Sequence, residues 1–447
     1  MNYESAVRYL LTLGRELAAP TQAAAAKFNL ENITVLLERL GRPDRAYPSV
    51  HIAGTNGKGS TAAFLEAILR NAGFRTGLNT SPHLERINER IRIAGEEISN
   101  ELFADIFTRI LAVIEELLAQ GKLKAHPTYF ECVTALAFEA FAQERVEFAV
   151  VEVGLGGRLD ATNILTPVVS VITRIDFDHE NFLGHSLREI AGEKAGILKR
   201  GVPAVFAPQL PEAAEVLGMK AKELDCPVVE SGEAFPVIRE ELRNGCGRAE
   251  IVEPTSGRRI ELAPRLAGRF QLQNALNAVA AACILQKRNY RISEDHIARG
   301  IATAQWPGRL EKLQSSPDVY LDGAHNPGAA RELARFIEES LAGRKVFLIY
   351  AAMRDKAVDE VAGLLFPHAE EVIFTEAKTP RAISARQLEE IAGHHAAQYS
   401  SIPDAEKAVE AALGKAKPGD VIVITGSLYL VGQVRLAWRQ WRKVASH

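Results

Sequence analysis

HIAGTNGKGST, at residues 51–61, is the part of the sequence that most clearly indicates the fold. It follows a β-rich run at 49–53 and opens a helical run at 60–71. Its glycines allow backbone amides to curl around phosphate oxygens, and a helix N-terminus adds partial positive charge. Lys58 would reach the terminal phosphates, and Ser60 would offer a hydroxyl to Mg²⁺. The stretch therefore predicts a phosphate-binding loop in an α/β domain.

This loop departs from the generic P-loop pattern GxxxxGK[ST] at two positions. Ile52 occupies the first glycine position, and Gly59 stands between Lys58 and the hydroxyl residue Ser60. The alternative without a function in phosphate binding is a glycine-rich turn with an exposed lysine. A P-loop nucleotide switch or kinase is the alternative from another functional class.

Strand-like and helix-like runs alternate along the chain, which is typical of a mostly parallel sheet covered by helices. The first series predicts strands at 49–53, 75–80, 148–153 and 168–173, and helices at 60–71, 102–118 and 131–143. The second series, after residue 308, predicts strands at 319–322, 346–350, 371–375 and 421–425, and helices at 329–341, 357–365, 385–394 and 405–413. Residues 226–261, rich in glycine and charge, favour a short antiparallel excursion.

We therefore predict an α/β fold of two domains. The first, residues 1–304, is a P-loop-type domain with a mostly parallel sheet, and the second, 305–447, is a smaller Rossmann-like α/β domain. A chain of 447 residues is too long for one ordinary core, which agrees with this division.

Composition excludes several classes of protein. Hydrophobic residues make up 47% and charged residues 24%, the balance of a soluble globular protein. A net charge of −3 provides no general attraction to nucleic acid or anionic lipid. Segment 1–17 lacks the layout of a signal peptide, and the four cysteines are scattered without a CxxC pair. We expect a cytoplasmic monomer with no nucleic-acid or membrane partner.

Further motifs follow the loop in a definite order. They are TSPH at 80–83, NERI at 88–91, TYFE at 128–131, EVGLGGRLDATN at 152–163, DH at 178–179, EKAGI at 193–197, GRFQ at 268–271, PGR at 307–309 and DGAHNP at 322–327. Together with the loop they resemble the Mur-ligase superfamily, in its folylpolyglutamate synthase/dihydrofolate synthase branch, from about residue 30 onward. The resemblance implies an ATP-dependent ligase that adds L-glutamate to a folate or to dihydropteroate through an acyl phosphate, with two Mg²⁺ ions.

Metal binding is expected first at Glu152. It ends a buried strand, where open α/β sheets bind their ligands, and a carboxylate there would hold Mg²⁺ beside the triphosphate. A glutamate paired with a basic group is the alternative. The resemblance adds Ser60 and Ser81 to this first ion and assigns His179 to the second.

From the sequence alone, we expect Lys194 to be a solvated or ion-paired lysine on a helix. The resemblance implies that it is carbamylated, because a carbamate anion can face Mg²⁺ where an ammonium would be repelled.

The resemblance also implies roles for the remaining site residues. Contacts to ATP are expected from Gly54, Thr55, Asn56, Gly57, Lys58, Gly59, Ser60, Thr61, Asn274, Arg309 and Asp322. Catalytic roles are expected for Lys58, His325 and the carbamylated Lys194. Substrate contacts are expected from Thr128, Phe130, Glu131, Arg158, Asp160 and Ser427. Core packing is the alternative for Phe130, and helix N-capping is the alternative for Ser427.

Three other enzyme classes are alternatives to this one. The TSPH, TYFE and EKAGI runs argue against a peptidoglycan-type Mur ligase. A nicotinamide oxidoreductase could use the GLGG turn, but Leu159 stands where the third glycine of GxGxxG belongs. A Ser/His/Asp hydrolase would need a GxSxG elbow, which the sequence lacks. Whether dihydropteroate, tetrahydrofolates or both accept glutamate stays open at this point.

Overall fold

The computed structural model describes residues 1–14, 29–254 and 256–445, and its strands form three sheets. The first sheet has eight strands: β1 (Ser49–Ala53), β2 (Thr76–Asn79), β3 (Ile91–Ile93), β4 (Glu96–Glu97), β5 (Phe148–Glu152), β6 (Val169–Ile172), β7 (Ala204–Phe206) and β8 (Val228–Glu230). The second has three: β9 (Val237–Arg243), β10 (Cys246–Val252) and β11 (Arg259–Leu262). The third has six: β12 (Glu311–Gln314), β13 (Asp318–Leu321), β14 (Val346–Tyr350), β15 (Glu371–Glu376), β16 (Tyr399–Asp404) and β17 (Val421–Thr425).

The first sheet runs in the order β4-β3-β2-β5-β1-β6-β7-β8. Its pairs are parallel except β2 with β3 and β3 with β4. The central strands β1, β5 and β6 are buried along their whole length, as their nearly continuous apolar sequences predict. Their carboxyl ends meet at one edge, and the phosphate-binding loop begins there.

The third sheet runs in the order β12-β13-β17-β14-β15-β16 and is parallel except between β12 and β13. The second is a small antiparallel sheet in the order β11-β10-β9. It confirms the predicted antiparallel excursion between the two parallel series.

Helices cover both large sheets. The α-helices of the described residues are α1 (Tyr3–Thr12), α2 (Glu31–Arg39), α3 (Lys58–Asn71), α4 (Asn100–Ala119), α5 (Tyr129–Gln143), α6 (Glu180–Leu183), α7 (Leu187–Ala195), α8 (Pro211–Glu223), α9 (Phe270–Lys287), α10 (Glu294–Thr303), α11 (Pro327–Ser340), α12 (Val358–Leu365), α13 (Ala385–Ala392), α14 (Ala405–Lys415) and α15 (Leu428–Ala445). Short 3₁₀ turns lie at Pro43–Arg45, Ile87–Arg90, Ala161–Ile164, Phe366–His368 and Gly393–His395. None of the helices in the described part of the chain is long and apolar enough to span a membrane.

Separate apolar cores surround the first and third sheets. On one face of the first sheet, α3 and α9 pack together with side chains of β1, β5 and β6. Its other face packs against α4 and α5 near one end and against α7 and α8 near the other. The third sheet has its own core on each face. The α/β class with a large, mostly parallel first sheet and a second sheet domain is therefore confirmed, while the boundary at residue 304 stays a prediction.

The predicted strands and helices of both series are present, with ends shifted by a few residues. Strands β3, β4, β7, β8, β12 and β16 were not predicted individually. The first five have only two to four residues each, too few for a clear periodicity. Strand β16 lies at the sheet edge, and its alternate residues are exposed. Residues 15–17, part of the segment screened for a signal peptide, lie outside the described residues.

Candidate functional site

The predicted phosphate loop connects β1 with α3, as its sequence requires. The backbone amides of Thr55 and Asn56 donate to the carbonyl oxygen of Arg174, at 2.9 Å and 3.1 Å, and so tie the loop to the end of β6. The amides of Lys58, Gly59 and Ser60 open α3, where the first turn has no helical acceptors. These three amides are therefore the ones positioned to bind phosphate oxygens.

Gly57 shows why the loop needs glycine. Its φ is +89°, in the left-handed region that disfavours other residues. A Cβ built there would lie 2.2 Å from Oδ1 of Asn274, at the start of α9. The loop and Asn274 consequently touch with no space for a side chain between them.

A cavity of about 510 Å³ opens beside this loop, and its walls come from the first sheet, from α9 and from the third sheet. It brings together most of the residues predicted for ATP, metal and catalysis: Gly54, Thr55, Asn56, Gly57, Lys58, Gly59, Ser60, Ser81, Glu152, His179, Lys194, Asn274, Arg309, Asp322 and His325. In the sequence these residues lie in seven separate motifs, with Asn274 three positions beyond an eighth, and the fold gathers them around one space.

Two lysines share a carbonyl in this cavity. The Lys58 ammonium donates to the carbonyl oxygens of Gly54 and Thr55, at 3.1 Å and 3.2 Å. The Lys194 ammonium, buried at 4% exposure, donates to the same Gly54 oxygen at 2.8 Å. Burial, and then the neighbouring Lys58 charge, lowers the pKa of Lys194 to about 7. Burial also lowers the pKa of Lys58.

The predicted first metal site has the right donor chemistry. Glu152 is buried, and one of its carboxylate oxygens accepts a 3.2 Å hydrogen bond from the Ser81 amide. Burial raises the pKa of Glu152 to about 7, against the opposing effect of Lys58. Glu152, Ser60 and Ser81 line the same cavity, and a buried carboxylate with two hydroxyls is a set of oxygen donors that suits Mg²⁺ and that a cation would stabilise.

The predicted second metal site fits only in part. Burial lowers the pKa of His179 to about 4, so the imidazole is neutral, as a metal ligand must be. Its Nδ1 is buried and makes no hydrogen bond to the described residues, so one nitrogen remains for a ligand. Lys194 as an amine would repel a cation, and it suits this site only after conversion to a carbamate.

Residues of the third sheet complete the cavity. The Asp322 carboxylate accepts 2.9 Å hydrogen bonds from the amides of Leu310 and Ala324, which hold the turn after β13. Burial raises the pKa of Asp322. Nδ1 of the His325 ring lies 2.7 Å from the carbonyl oxygen of Gly323. That contact directs Nε2 towards Asp178 of the first sheet, 3.5 Å away.

Direct contacts join the two sides of the cavity. The side-chain amides of Asn56 and Asn326 bind each other reciprocally, at 3.1 Å and 3.2 Å. The Lys356 ammonium lies 2.6 Å from Asp178 and 3.5 Å from Nε2 of His179. Burial alone would raise the pKa of Asp178, but His325 and Lys356 hold it well below its usual value.

The structure places seven predicted site residues outside the cavity walls: Thr61, Thr128, Phe130, Glu131, Arg158, Asp160 and Ser427. Thr61 is buried in α3 and lies 3.4 Å from the Asn274 carbonyl. Thr128 and Glu131 form the capping box of α5. The Oγ of Ser427 accepts from the Tyr429 amide at the start of α15, as an N-cap would.

Three of the seven lie near the glycine turn that follows β5. A Cβ on Gly154, which lines the cavity, would come within 2.3 Å of the Phe130 ring. The buried Asp160 carboxylate accepts from the Leu155 amide at 2.8 Å and so shapes the turn. Arg158 is exposed and pairs with Glu193 at 2.8 Å.

Sequence reasoning missed Arg174, Asn326 and Lys356. Asn326 lay inside the quoted DGAHNP motif, and Arg174 directly follows a predicted strand. Lys356 lies just beyond the end of β14, so the rule that ligands bind at the carboxyl ends of parallel strands could have identified it. Their pairing with the first-sheet loops is a long-range property that local sequence does not display.

Two family models match the chain. The Mur ligase middle domain matches residues 52–282, and the Mur ligase glutamate ligase domain matches residues 308–428. The first contains the phosphate loop, and the second begins at Gly308, next to Arg309.

Individual proteins match over nearly the whole chain. The dihydrofolate synthase/folylpolyglutamate synthase of Bacillus subtilis is 36% identical over 412 residues, covering 92% of this chain and 94% of that protein. The structure of Mycobacterium tuberculosis folylpolyglutamate synthase complexed with ADP superposes with a TM-score of 0.88 at 32% identity, over 98% of each chain. That of E. coli FolC in complex with DHPP and ADP superposes with a TM-score of 0.85 at 30% identity, over 99% of each chain.

Proposed function

The chain belongs to the folylpolyglutamate synthase/dihydrofolate synthase family of Mur ligases, and we propose that its central cavity joins L-glutamate to folates at the expense of ATP. It is an ATP-dependent, amide-forming ligase. The assignment of individual residues to steps of this reaction is our proposal.

One observation supports the assignment of this cavity to an ATP-dependent ligase. The same cavity is lined by Lys58 and Glu152 from the first sheet and by Arg309 and His325 from the segments around β12 and β13. Lysine, arginine and helix-terminal amides converge there, which is the arrangement that binds a triphosphate. A nucleotide held by only one sheet would not need this second wall, so the geometry supports ATP bound between the two sheets.

A carboxylate must be activated before it can form an amide. It is a poor electrophile, so one of its oxygens first attacks the γ-phosphorus in line, and ADP leaves with the electrons of the broken P–O bond. The resulting acyl phosphate is attacked at carbon by the amine of glutamate. The nitrogen loses a proton to water, phosphate leaves with the electrons of the broken C–O bond, and the amide remains. Lys58 and the amides of Gly59 and Ser60 would stabilise the charge on the transferring phosphoryl group.

We assign Ser60, Ser81 and Glu152 to one Mg²⁺ and His179 with carbamylated Lys194 to a second. Bound Mg²⁺ would neutralise phosphate charge in this cavity. Asn274, Arg309 and Asp322 are assigned to the nucleotide. His325 faces the reacting groups, and its Nδ1 contact with the Gly323 carbonyl keeps its ring in place.

The substrate residues are proposed from their positions. Phe130 packs against Gly154 at the cavity wall, so a small shift of its ring would let it stack on a pterin. Arg158 and Asp160 flank the same glycine turn, and Thr128 and Glu131 hold the start of the helix that carries Phe130. Ser427 is assigned to the incoming glutamate. We propose that both dihydropteroate and reduced folates are accepted, because relatives with both activities match over most of the chain.

We further propose that the enzyme works in the cytoplasm as a monomer. The four cysteines are free thiols, which supports a reducing compartment. Sedimentation of the purified protein measures its oligomeric state.

The decisive experiment measures ADP release with dihydropteroate and with tetrahydrofolate, each with and without L-glutamate. Glutamate-dependent release with both acceptors supports the proposal. Release with only one acceptor narrows the substrate. Release without any acceptor, at the same rate, would contradict the ligase assignment of this cavity.

A further inference from the structure

The segment between α10 and the third sheet passes directly over the phosphate loop. Helix α10 is pressed onto α3, because a Cβ on Gly300 would lie 2.5 Å from Cα of Ile68. The Asn71 side chain also donates to Thr303 at 3.3 Å. The chain leaves α10 at Thr303 and reaches the cavity wall at Arg309, six residues later. The segment between Thr303 and Arg309 is therefore fixed at both ends.

Trp306 lies in this short segment, with the edge of its indole against the phosphate loop. A Cβ built on Gly59 would be 2.7 Å from Nε1, and 2.9 Å from both Cε2 and Cζ2 of Trp306. Gly59 is the second residue of α3, and its amide is one of the three that we assign to phosphate binding. The indole thus occupies the volume that any side chain at position 59 would fill.

A second contact of the indole comes from the first sheet. The guanidinium carbon of Arg92, on β3, lies 5.6 Å from the centre of the Trp306 ring. The Nε of Arg92 is buried and makes no hydrogen bond to the described residues. A cation over an indole face is attracted to it, the more so where water is excluded. Trp306 is therefore held between β3 and the first turn of α3.

The segment after Trp306 carries the nucleotide-facing arginine. Gly308 has a φ of +73°, its carbonyl oxygen accepts from the Gly323 amide at 2.9 Å, and its own amide donates to Glu311 at 2.9 Å. Arg309 follows and lines the cavity. Only two residues, Pro307 and Gly308, separate Trp306 from Arg309, so the position of one constrains the other.

We propose that Trp306 is a positioning residue that sets the distance between the phosphate-binding amides of α3 and Arg309. Position 59 is then glycine because the indole needs that space, in addition to any need of the phosphates. This inference rests on the proposed ATP site. It adds a role for a residue that contacts the loop and not the reacting groups.

A double-mutant cycle between positions 59 and 306 tests the proposal. Gly59→Ala should lower kcat/KM for ATP about 100-fold, the scale of an ångström-sized displacement at an active site. Trp306→Ala alone should lower it about tenfold, because the loop and Arg309 lose their fixed spacing. The double variant should recover at least about tenfold over Gly59→Ala, since the clash is gone. The KM values for folate and glutamate should stay within about twofold throughout.

Gly57→Ala is the matched control. It also places a methyl group on the loop, but against Asn274, so Trp306→Ala should not rescue it. If Trp306→Ala does not fold, Trp306→Phe replaces it, because the smaller ring removes the edge that faces Gly59. Nucleotide binding has an optical readout too. With Trp438 and Trp441 changed to Phe, ADP should alter the fluorescence of the remaining Trp306.

Equal damage by Gly59→Ala in both backgrounds, or unchanged Trp306 emission at saturating ADP, would overturn the proposal. Failure of the wild-type enzyme to bind or turn over ATP would instead refute the proposed function. The two failures are therefore distinguishable.

Discussion

The ammonium groups of Lys58 and Lys194 both donate to the carbonyl oxygen of Gly54, at 3.1 Å and 2.8 Å. One lysine comes from the phosphate loop and the other from α7, 136 positions later in the chain (194 − 58). Two cations on one oxygen repel each other, and the buried Lys194 has its pKa lowered to about 7. The cavity thus contains one lysine suited to bind phosphate and one suited to lose its proton.

Lys58→Ala should reduce turnover by about 10²–10³-fold or more, the effect of removing one preorganised electrostatic group. The fold should persist, because the ammonium binds only loop carbonyls in the described structure. Steady-state kinetics with saturating folate and glutamate, together with a urea unfolding curve, measures both effects.

Lys199→Ala is the matched control for that variant. Lys199 is also a lysine with a pKa lowered by burial, and it donates to the backbone and side-chain oxygens of Asn163. It lies outside the cavity, so its loss should affect stability and leave turnover near the wild-type rate. Ordinary ligation by Lys58→Ala would remove this lysine from the mechanism.

The order of bond formation predicts the fate of an isotopic label. If the substrate carboxylate attacks the γ-phosphorus, one carboxylate oxygen ends in inorganic phosphate. Folate labelled with oxygen-18 in its terminal carboxylate should therefore transfer one labelled oxygen to phosphate per amide formed. Mass spectrometry of the released phosphate measures this. Unlabelled phosphate from a fully labelled substrate would rule out an acyl phosphate.

Arg309→Ala should impair catalysis far more than stability, because we assign Arg309 to the nucleotide and it lines the cavity from the third-sheet side. Arg331→Ala is a suitable comparison, since Arg331 also joins the two sides, through Asp176 at 3.0 Å, but outside the cavity walls. We expect kcat/KM for ATP to fall at least about 100-fold in the first variant. A similar loss in both would indicate a general bridging role.

The phosphate loop was predictable because its function depends on contiguous residues. Glycines, a lysine and a hydroxyl at close spacing, between a strand and a helix, predict both the turn and its ligand. Buried parallel strands were predictable for a similar reason, since their apolar runs are continuous. Glu152 at the end of β5 followed from that pattern together with the rule on strand ends.

The remaining site depends on distant parts of the chain. Asn56 binds Asn326 across 270 positions, and Lys356 binds Asp178 across 178 positions. No local periodicity encodes such pairs, because they form only when the two sheets meet. The assignments of Thr128 and Ser427 depended on resemblance, and the structure shows both in helix caps that ordinary propensity explains.

The lowered pKa of Lys194 predicts a pH dependence of stability. In the unfolded chain this pKa returns to about 10.5, so between pH 7 and 10.5 the unfolded state binds a proton that the folded state does not. The free energy of unfolding should therefore rise with pH across this window and be lowest below pH 7. Lys194→Met should lack this contribution. Urea unfolding at pH 7, 8 and 9, in buffer free of CO₂, compares the two, and parallel pH profiles would contradict the assignment.

Carbamylation of Lys194 is the chemical consequence of the same environment. A neutral amine attacks the carbon of CO₂ and a C–N bond forms. The π electrons of one C=O bond move onto its oxygen, which gives a carboxylate, and the nitrogen loses a proton to water. A pKa near 7 supplies the neutral amine at physiological pH. The carbamate nitrogen keeps one N–H, so the hydrogen bond to Gly54 can persist while the side chain gains two oxygens in the cavity that His179 also lines. We therefore expect the modification to complete a metal site that the amine leaves unsuitable.

Enzyme equilibrated with ¹³C-bicarbonate, MgADP and substrates should show one protein-bound carbamate signal by NMR. Lys194→Met should abolish this signal, whereas Lys58→Met should retain it, because Lys58 is needed for phosphate and not for the modification. Added acetate should restore part of the activity of Lys194→Ala by supplying a carboxylate in the vacated space. An active, metal-loaded enzyme without the signal would refute the carbamate. Lys194 would then act as the amine that the structure shows on the Gly54 carbonyl.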